Sequence, residues 1–319
     1  MNERGETMMM KTSMAALAAA FLATTGSAAL AATSSLSQPA TELVMPFDAT
    51  SGKASYAIVS NPYASSPGGG AKISTHWIFW GENCDELANY SVCLTERDTI
   101  VVDPTNMTTV DENNEASGPT INLSGNRGII TVTAYETDAN CRPYDQTGEV
   151  LSRAGIVGTF TVADTQTGYS FGNDAYGLNT DASGFSIELP EHPTTDGGRY
   201  VLQTLNPKTL DASFVVLAHL EVQDRVARPD DENATYTAAF YDNLEIATSL
   251  PDIDLDCLEF RRLAGSDSSL IPDYATPDSS GILALTPDTG RDNDDFLYAV
   301  VGEAVGLFGA SSSGKVQLD

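Results

Sequence analysis

The feature that most constrains the fold is a repeated pattern of short β-prone runs, separated by clusters of Gly, Pro, Asn, Asp and Ser, from Thr41 onward. In Phe185–Leu189 apolar and polar residues alternate, as they do in a strand with one face in water. Helical periodicity is nearly absent along the chain. The pattern therefore predicts an all-β protein, an antiparallel β-sandwich with long loops and few or no helices.

The runs that meet the criteria for a strand recur at short intervals, which is typical of a sandwich. In Phe214–Val222 the even-numbered residues share one predicted face and the odd-numbered residues the other. Two segments, Asp85–Tyr90 and Thr147–Arg153, favour short helices instead. The predicted strands are Thr41–Phe47, Ala54–Ser60, Lys72–Trp80, Asp98–Val102, Gly128–Tyr135, Val157–Ala163, Phe185–Leu189, Phe214–Val222, Thr235–Tyr241, Cys257–Leu263, Gly281–Leu285 and Phe296–Val301.

The acidic balance of the chain excludes several classes of partner. The sequence carries 44 Asp and Glu against 16 Lys and Arg, a formal net charge of −28. Nucleic-acid binding depends on clustered Lys and Arg, so we expect no nucleic-acid partner, and an anionic membrane surface is disfavoured for the same reason. A self-repelling surface of this kind suits a saline or calcium-containing exterior, and solubility in salt explains it equally well.

The N-terminus has the composition of a secretory signal peptide. Lys11 ends a short charged lead, Met14–Leu22 is apolar, and Ala29–Ala31 supplies the small residues of a cleavage site. We therefore predict a signal peptide at 1–31, export to the periplasm, cell surface or exterior, and a mature chain of 32–319. A retained anchor is the alternative, but the apolar run is shorter than a membrane span, and no later segment reaches that length.

The mature chain is predicted to be one large domain. All-β domains of this size occur, and no Pro-rich or Ser-rich linker divides the sequence. A weak boundary lies near 164–169. No internal repeat of fixed period is present, which disfavours a propeller or a solenoid.

The four cysteines, Cys84, Cys93, Cys141 and Cys257, predict two disulfides in an exported chain. The favoured pairing is Cys84–Cys93 with Cys141–Cys257, one of three possible connectivities. A zinc site is the competing interpretation, but the sequence has no Cys-x-x-Cys pair.

Several segments together resemble a loose group of exported bacterial proteins. The segments are Leu43–Phe47, Tyr56–Asn61, Trp77–Trp80 with Cys84 behind it, and Thr235–Asn243. Members of that group begin the mature chain with an "fPYF" segment, continue with a strand that ends in Asn and a Trp-containing strand, and are predicted β-sandwiches without an assigned activity. The resemblance implies the fold and export, and it implies no catalytic residue.

The two tryptophans are candidate ligand contacts. Trp77 and Trp80 are three residues apart and therefore lie on opposite faces of a strand. We expect one of them in the core. The other, on the face of His76 and Ile78, is a candidate stacking platform for a sugar ring. Burial between two sheets explains both tryptophans equally well.

Clusters of aspartate are the candidate metal ligands. Asp252, Asp254 and Asp256 alternate along the chain, so an extended segment places them on one face. Oxygen ligands at this density suit Ca²⁺, although no EF-hand motif is present, and a solvated acidic surface is the alternative. A second cluster lies in a Gly-containing loop and comprises Asp288, Asp292, Asp294 and Asp295.

No motif specifies catalysis. The sequence has no Gly-x-Ser-x-Gly, and each of its histidines, His76, His192 and His219, fits a structural role. We name no catalytic residue and interpret the chain as an exported, non-catalytic surface, matrix or adhesive module that is compatible with calcium. The alternative is a carbohydrate-binding or carbohydrate-active protein, with glycans or cell-surface components as partners and a carboxylate pair for any glycosidase chemistry. Self-association through an exposed sheet edge is a third possibility.

Overall fold

A computed structural model describes residues 39–63, 72–110, 116–137, 155–178, 199–204, 212–223, 226–230, 233–244, 246–264, 269–271, 280–287, 295–305, 308–313 and 315–317. In these ranges the chain is all-β, its strands pair antiparallel, and the predicted fold class is confirmed. The predicted signal peptide, the strand at Phe185–Leu189 and the helix at Thr147–Arg153 lie outside the described residues. The described part of the chain holds no helix with the length and apolarity to cross a membrane.

Every predicted strand that falls on described residues coincides with an observed one. The helix predicted at Asp85–Tyr90 is wrong, because that segment belongs to the strand Glu86–Leu94. In chain order the strands are β1 (Glu42–Asp48), β2 (Lys53–Ser60), β3 (Ile73–Gly81), β4 (Glu86–Leu94), β5 (Thr99–Val102), β6 (Met107–Val110), β7 (Ala116–Ile121), β8 (Arg127–Tyr135), β9 (Val157–Asp164), β10 (Ser170–Asp174), β11 (Tyr176–Leu178), β12 (Arg199–Thr204), β13 (Ala212–Gln223), β14 (Val226–Pro229), β15 (Ala234–Asp242), β16 (Ala247–Ser249), β17 (Ile253–Leu255), β18 (Leu258–Arg261), β19 (Gly281–Pro287), β20 (Asp295–Val305), β21 (Phe308–Ser313) and β22 (Lys315–Gln317).

The strands form four main sheets, which we number 1 to 4. Sheet 1 has the order β11-β1-β8-β3-β4, and sheet 2 has the order β10-β9-β2-β5. Sheet 3 is β16-β15-β19-β12-β22 with β17 paired to β15, and sheet 4 is β14-β13-β20-β21 with β18 paired to β13. Strands β6 and β7 form a separate pair. Apart from the β6–β7 pair, strands up to β11 thus build sheets 1 and 2, whereas later strands build sheets 3 and 4.

Sheet 4 lies between two hydrophobic cores. Along β13, Val216 and Ala218 pack in one core, which we call core 1 and which includes residues of sheets 1 and 2. Val215 and Leu217, on the opposite face, pack in core 2 with residues of sheet 3. The face assignment predicted from the alternation of this segment is therefore confirmed.

Sheet 1 is also covered on both faces, and β1 is buried along nearly its whole length. On one face Leu43 lies so close to Gly158 of sheet 2 that a Cβ added there would be 2.7 Å from its Cδ1. On the other face the Glu42 carboxylate accepts a hydrogen bond from the Ala227 amide of β14 at 2.9 Å. The layers are therefore stacked in the order sheet 2, sheet 1, sheet 4, sheet 3, and at one margin β10 of sheet 2 also contacts sheet 4 directly, where Phe171 packs edge-on against Phe214.

The described residues belong to one compact unit that spans Ser37–Asp319. Residues 164–169, the weak boundary suggested by the sequence, form the turn between β9 and β10 within sheet 2. In this turn the Gly168 amide donates to the Asp164 carbonyl at 2.8 Å, and Gly168 has a φ of +81°. The chain therefore reverses here without leaving its sheet.

Candidate functional site

Strand β3 places its two tryptophans on opposite faces, as predicted. Trp77 is the interior one, with 0% of its surface exposed. Its indole Nε1 donates a hydrogen bond to Thr75 Oγ1 at 2.9 Å, and its ring stacks on Tyr90 with a centroid separation of 5.8 Å. Trp77 is therefore part of core 1, between sheets 1 and 2.

Trp80 is half-buried on the other face of β3, together with His76 and Ile78. Its indole Nε1 donates to Thr131 Oγ1 at 3.0 Å, and its ring packs against core 1. Burial lowers the pKa of His76, and the negative charge of Glu86 opposes that shift. In the predicted stacking platform, the indole N–H of Trp80 is therefore already hydrogen-bonded, and the imidazole of His76 is largely neutral.

We expect Trp80→Phe to lower the free energy of unfolding by about 1 kcal/mol, because Thr131 loses its donor. The measurement is urea unfolding followed by circular dichroism. Trp77→Phe is the matched control, and its loss should be larger because its ring is fully buried. Full stability of Trp80→Phe would contradict a structural role for the indole and would favour a ligand contact.

The outer face of sheet 2 is the second candidate surface. Tyr56 is exposed whereas Ala57 and Val59 are buried, so the even-numbered residues of β2 face away from core 1. Residues paired across antiparallel strands share a face, which extends this surface over β5, β9 and β10. Its members are Ala54, Tyr56, Ile58, Ser60, Thr99, Val101, Val157, Thr159, Thr161, Ala163, Ser170, Gly172 and Asp174.

The apolar members of this face form a cluster. Tyr56 and Val101 have exposed fractions of 42% and 55%. Ile58 pairs directly with Val101 and is half-buried, and Tyr56 lies two residues along β2 on the same face. Neighbouring side chains of this kind touch across a sheet. The face therefore presents one continuous apolar patch rather than scattered side chains.

An ion pair fixes one end of sheet 2. Lys53 Nζ lies 2.6 Å from Asp164 Oδ2, and Asp164 Oδ1 accepts hydrogen bonds from the amides of Gln166 and Thr167. The hydrogen bond from Lys53 is the main cause that lowers the pKa of Asp164 to about 2. These contacts join β2, β9 and the following turn. They therefore hold together two of the strands that form the outer face of sheet 2.

A groove of about 280 Å³ lies between the edges of sheets 1 and 2, beside β4 and β5. On the β4 side its apolar wall is nearly covered, since Tyr90 and Leu94 have exposed fractions of 8% and 1%, whereas Val101 on the β5 side is 55% exposed. Asp98 and Asp103 stand at the two ends of β5. The groove therefore has a covered wall on β4 and borders the exposed face of sheet 2 through Val101.

The first aspartate cluster has the predicted alternation but no metal-binding geometry. Asp252, Asp254 and Asp256 are exposed, while Ile253 and Leu255 between them are buried. Asp254 Oδ1 accepts a hydrogen bond from Thr235 Oγ1 at 2.8 Å. Within the described ranges no group of three or more His, Cys, Asp or Glu side chains is placed to hold a metal ion. Calcium binding stays a prediction.

The second aspartate cluster falls largely outside the described residues. This applies to Asp288, Asp292 and Asp294, whereas Asp295 is the first residue of β20. The backbone pairing places Asp295 opposite Glu221 of β13. The two aspartate clusters are therefore not brought together by any described contact.

The disulfide connectivity differs from the prediction. Cys84 is bonded to Cys257, so the pairings Cys84–Cys93 and Cys141–Cys257 are both wrong. Cys93 also lies in a disulfide, and Cys141 lies outside the described residues. Cys84 occupies the tight turn after β3 with a φ of +61°, and that turn meets sheet 4, 173 residues away in sequence. The pairing of the cysteines depends on how the sheets stack, which the spacing of the cysteines along the sequence does not reveal.

His219 has a structural setting next to this disulfide. It is 2% exposed, and its Nδ1 lies 3.6 Å from Asp230 Oδ2. Its backbone amide donates to the Cys257 carbonyl at 2.8 Å. A buried His–Asp pair that is also held by the backbone agrees with the structural role predicted for this histidine.

Sequence reasoning named the tryptophans and missed Tyr56 and Val101. Both missed residues lie in predicted strands, and the alternation of Ala54–Ser60 already separates Tyr56 and Ile58 from Ala57 and Val59. Both sets are rich in apolar residues, so the pattern alone does not tell which of them faces solvent. Only the pairing of sheet 2 and its place in the stack decide the matter.

Comparison with known proteins adds little. No family model and no curated protein matches the sequence. Among solved structures, the chain is similar to a lectin from Pleurotus ostreatus in complex with GalNAc, at 9% identity and a TM-score of 0.20, over 87% of this chain and 83% of that one. A TM-score of 0.20 does not indicate a shared fold.

Proposed function

We propose that this chain is an exported, non-catalytic surface or matrix module that adheres through the outer face of sheet 2. The observation that carries the proposal is the patch of Tyr56, Ile58 and Val101 on the outer side of an outermost sheet. Exposed apolar clusters on a rigid face are typical of interaction surfaces. The Cys84–Cys257 disulfide supports export, since such bonds persist in oxidising compartments.

The groove beside β5 does not support the carboxylate-pair alternative. Strand geometry separates the Cα atoms of Asp98 and Asp103 by about 17 Å, whereas glycosidase carboxyl groups lie about 5–10 Å apart. Asp103 Oδ1 accepts hydrogen bonds from the amide and hydroxyl of Thr105, and Asp98 Oδ1 accepts from the Thr99 amide. Each carboxylate is thus engaged at its own end of the strand.

The face of His76, Ile78 and Trp80 is a second candidate surface, for the carbohydrate-binding alternative. It combines a half-buried indole with polar groups on the adjacent strand β4, where the Asn89 amide bonds to the Glu86 carboxylate. A ring beside hydrogen-bonding groups is the combination that ligand sites use. An adhesion experiment with a variant on each face separates the two.

The test is adhesion of the purified protein to beads that carry neutral polysaccharides, carboxylated polysaccharides or a protein coat. We expect retention on at least one coat, and Tyr56→Ala with Val101→Asp should weaken it about tenfold or more. Leu244→Asp is the matched control, because Leu244 is an aliphatic side chain 73% exposed on a hairpin of sheet 3.

Loss of retention in the Leu244 variant alone would contradict the assignment to sheet 2. Loss in Trp80→Ala, with the sheet 2 variant unaffected, would move the function to the β3 face. No retention on any coat would overturn the proposed function.

A further inference from the structure

The outer face of sheet 2 is nearly free of charge on a strongly acidic protein. Asp174, at its β10 margin, is the one charged residue among the described members of this face. A protein surface of ordinary composition would place roughly three or four charges over the same positions. The chain as a whole carries 44 acidic residues and a net charge of −28. The acidic residues are therefore segregated away from this face.

Hydroxyl groups surround the apolar patch. Ser60 and Thr99 stand opposite each other and share a hydrogen bond of 2.8 Å between their hydroxyls. Thr159 and Thr161 lie on the same face of β9, next to Ile58 and Tyr56. Each hydroxyl both donates and accepts hydrogen bonds. The face thus matches a ligand that alternates C–H surface with hydroxyl edges.

Tyr56 shares a row of this face with a hydroxyl and a glycine. Gly172 lies opposite Thr161, which in turn lies opposite Tyr56, so these residues form one row across three strands. Gly172 is exposed, and the Thr161 hydroxyl lies close to it, since a Cβ added at Gly172 would be 3.0 Å from Thr161 Oγ1. The row therefore places a hydroxyl beside the exposed phenol of Tyr56, on which a sugar ring can stack.

The protein's own charge selects among such ligands. A net charge of −28 repels a polyanion at low ionic strength, and a polycation is drawn to carboxylates that lie elsewhere on the surface. A second copy of the chain carries the same charge and is repelled like a polyanion. An uncharged polymer meets neither barrier.

We infer that the ligand of this face is an uncharged polysaccharide, held by stacking on Tyr56 and by hydrogen bonds to the threonine and serine hydroxyls around it. The inference rests on the proposed adhesive function of the same face. It adds the chemical class of the ligand, which follows from the exposed ring of Tyr56, the hydroxyls beside it and the segregation of charge.

The test compares matched pairs of insoluble polymers, namely cellulose, a galactan and a mannan, each with its carboxymethylated derivative. We expect retention on at least one neutral polymer, little change between 0.05 and 0.5 M NaCl because no ion pairs form, and weaker retention on its carboxymethylated partner at low salt. Tyr56→Ala and Thr161→Asp should each weaken binding by about tenfold. Tyr63→Ala and Thr237→Asp are matched controls, since Tyr63 is 38% exposed in a loop and Thr237 is exposed on sheet 3.

Three results would overturn the inference. Equal retention on neutral and carboxymethylated forms would remove the selection by charge. Retention on protein-coated beads only, lost in Tyr56→Ala, would leave the adhesive function standing with a different ligand class. Sedimentation that shows self-association abolished by Tyr56→Ala, without binding to any neutral polymer, would make a second copy the occupant. Failure on every coat would instead be failure of the proposed function itself.

Discussion

Glu42→Gln is expected to stabilise the protein at pH 8 to 9 and to leave its stability unchanged at pH 4. The Glu42 carboxyl is fully buried where sheet 1 meets sheet 4. It accepts hydrogen bonds from the Ala227 amide and from Thr133 Oγ1, at 2.9 and 3.2 Å. Burial nevertheless dominates and raises its pKa from 4.5 to about 8.

The sign of the pH effect follows from comparing the protonation of Glu42 in the folded and the unfolded chain. Below pH 4.5 the carboxyl is protonated in both the folded and the unfolded chain and contributes nothing. Between pH 4.5 and about 8 only the unfolded chain ionises, so stability falls as pH rises, and above about 8 the loss is constant. A shift of this size corresponds to about 5 kcal/mol.

Glutamine removes the titration and retains the contacts, because its amide oxygen accepts from Ala227 and its NH₂ group faces Thr133. Burial and these two hydrogen bonds, rather than a charged neighbour, set the pKa of Glu42. Along the same row His76 lies beyond Thr133 on β3, and Tyr176 lies on β11 next to β1. The pKa of His76 is lowered and that of Tyr176 is raised, so both are largely neutral between pH 7 and 9.

Urea unfolding of both proteins from pH 4 to pH 9 measures the difference. Glu136→Gln, a change at an exposed glutamate, is the control and should show no such pH dependence. A constant difference between wild type and Glu42→Gln across this range would show that Glu42 ionises in the folded protein as it does in the unfolded chain.

The double variant Cys84→Ala/Cys257→Ala is expected to lose about 5 kcal/mol of stability. The bond closes a loop of 173 residues, and the entropy that a cross-link removes from the unfolded chain grows with loop length. It also ties the turn after β3 in sheet 1 to the segment before β18 in sheet 4. Loss of the disulfide therefore weakens the contact between sheets 1 and 4, where Glu42 is buried.

Thermal unfolding of the double variant, with and without reductant, measures the contribution. Reductant also attacks the disulfide of Cys93, so the wild type alone does not isolate one bond. We expect the reductant to lower the melting temperature of the double variant less than that of the wild type. A double variant as stable as the oxidised wild type would show that layer packing alone fixes this interface.

Local alternation was enough to predict most of the long strands. Strand β4 shows why it fails elsewhere, because Glu86, Leu87 and Ala88 are good helix formers. The alternation of Tyr90, Val92 and Leu94 toward core 1 and pairing with β3 override that propensity. Short strands such as β11 and β17 carry too few residues to show a period at all.

The candidate site was less predictable than the fold. Trp77 and Trp80 attract attention as large aromatics, yet Trp77 serves core 1 and Trp80 donates its indole N–H within sheet 1. Tyr56 is distinguished only by being outermost in the stack. The Cys84–Cys257 bond depends on the same long-range arrangement, which no local spacing encodes.

The division of the strands between layers also sets an order of assembly. A chain that emerges N-terminus first has all strands of sheets 1 and 2 available at Leu178, before any strand of sheets 3 and 4. Cys84 cannot form its disulfide until Cys257 is available, 173 residues later in the chain. Oxidation of this pair reports that the turn after β3 and the segment before β18 have come together, and the Glu42 side of sheet 1 is open to water until β14 docks on it.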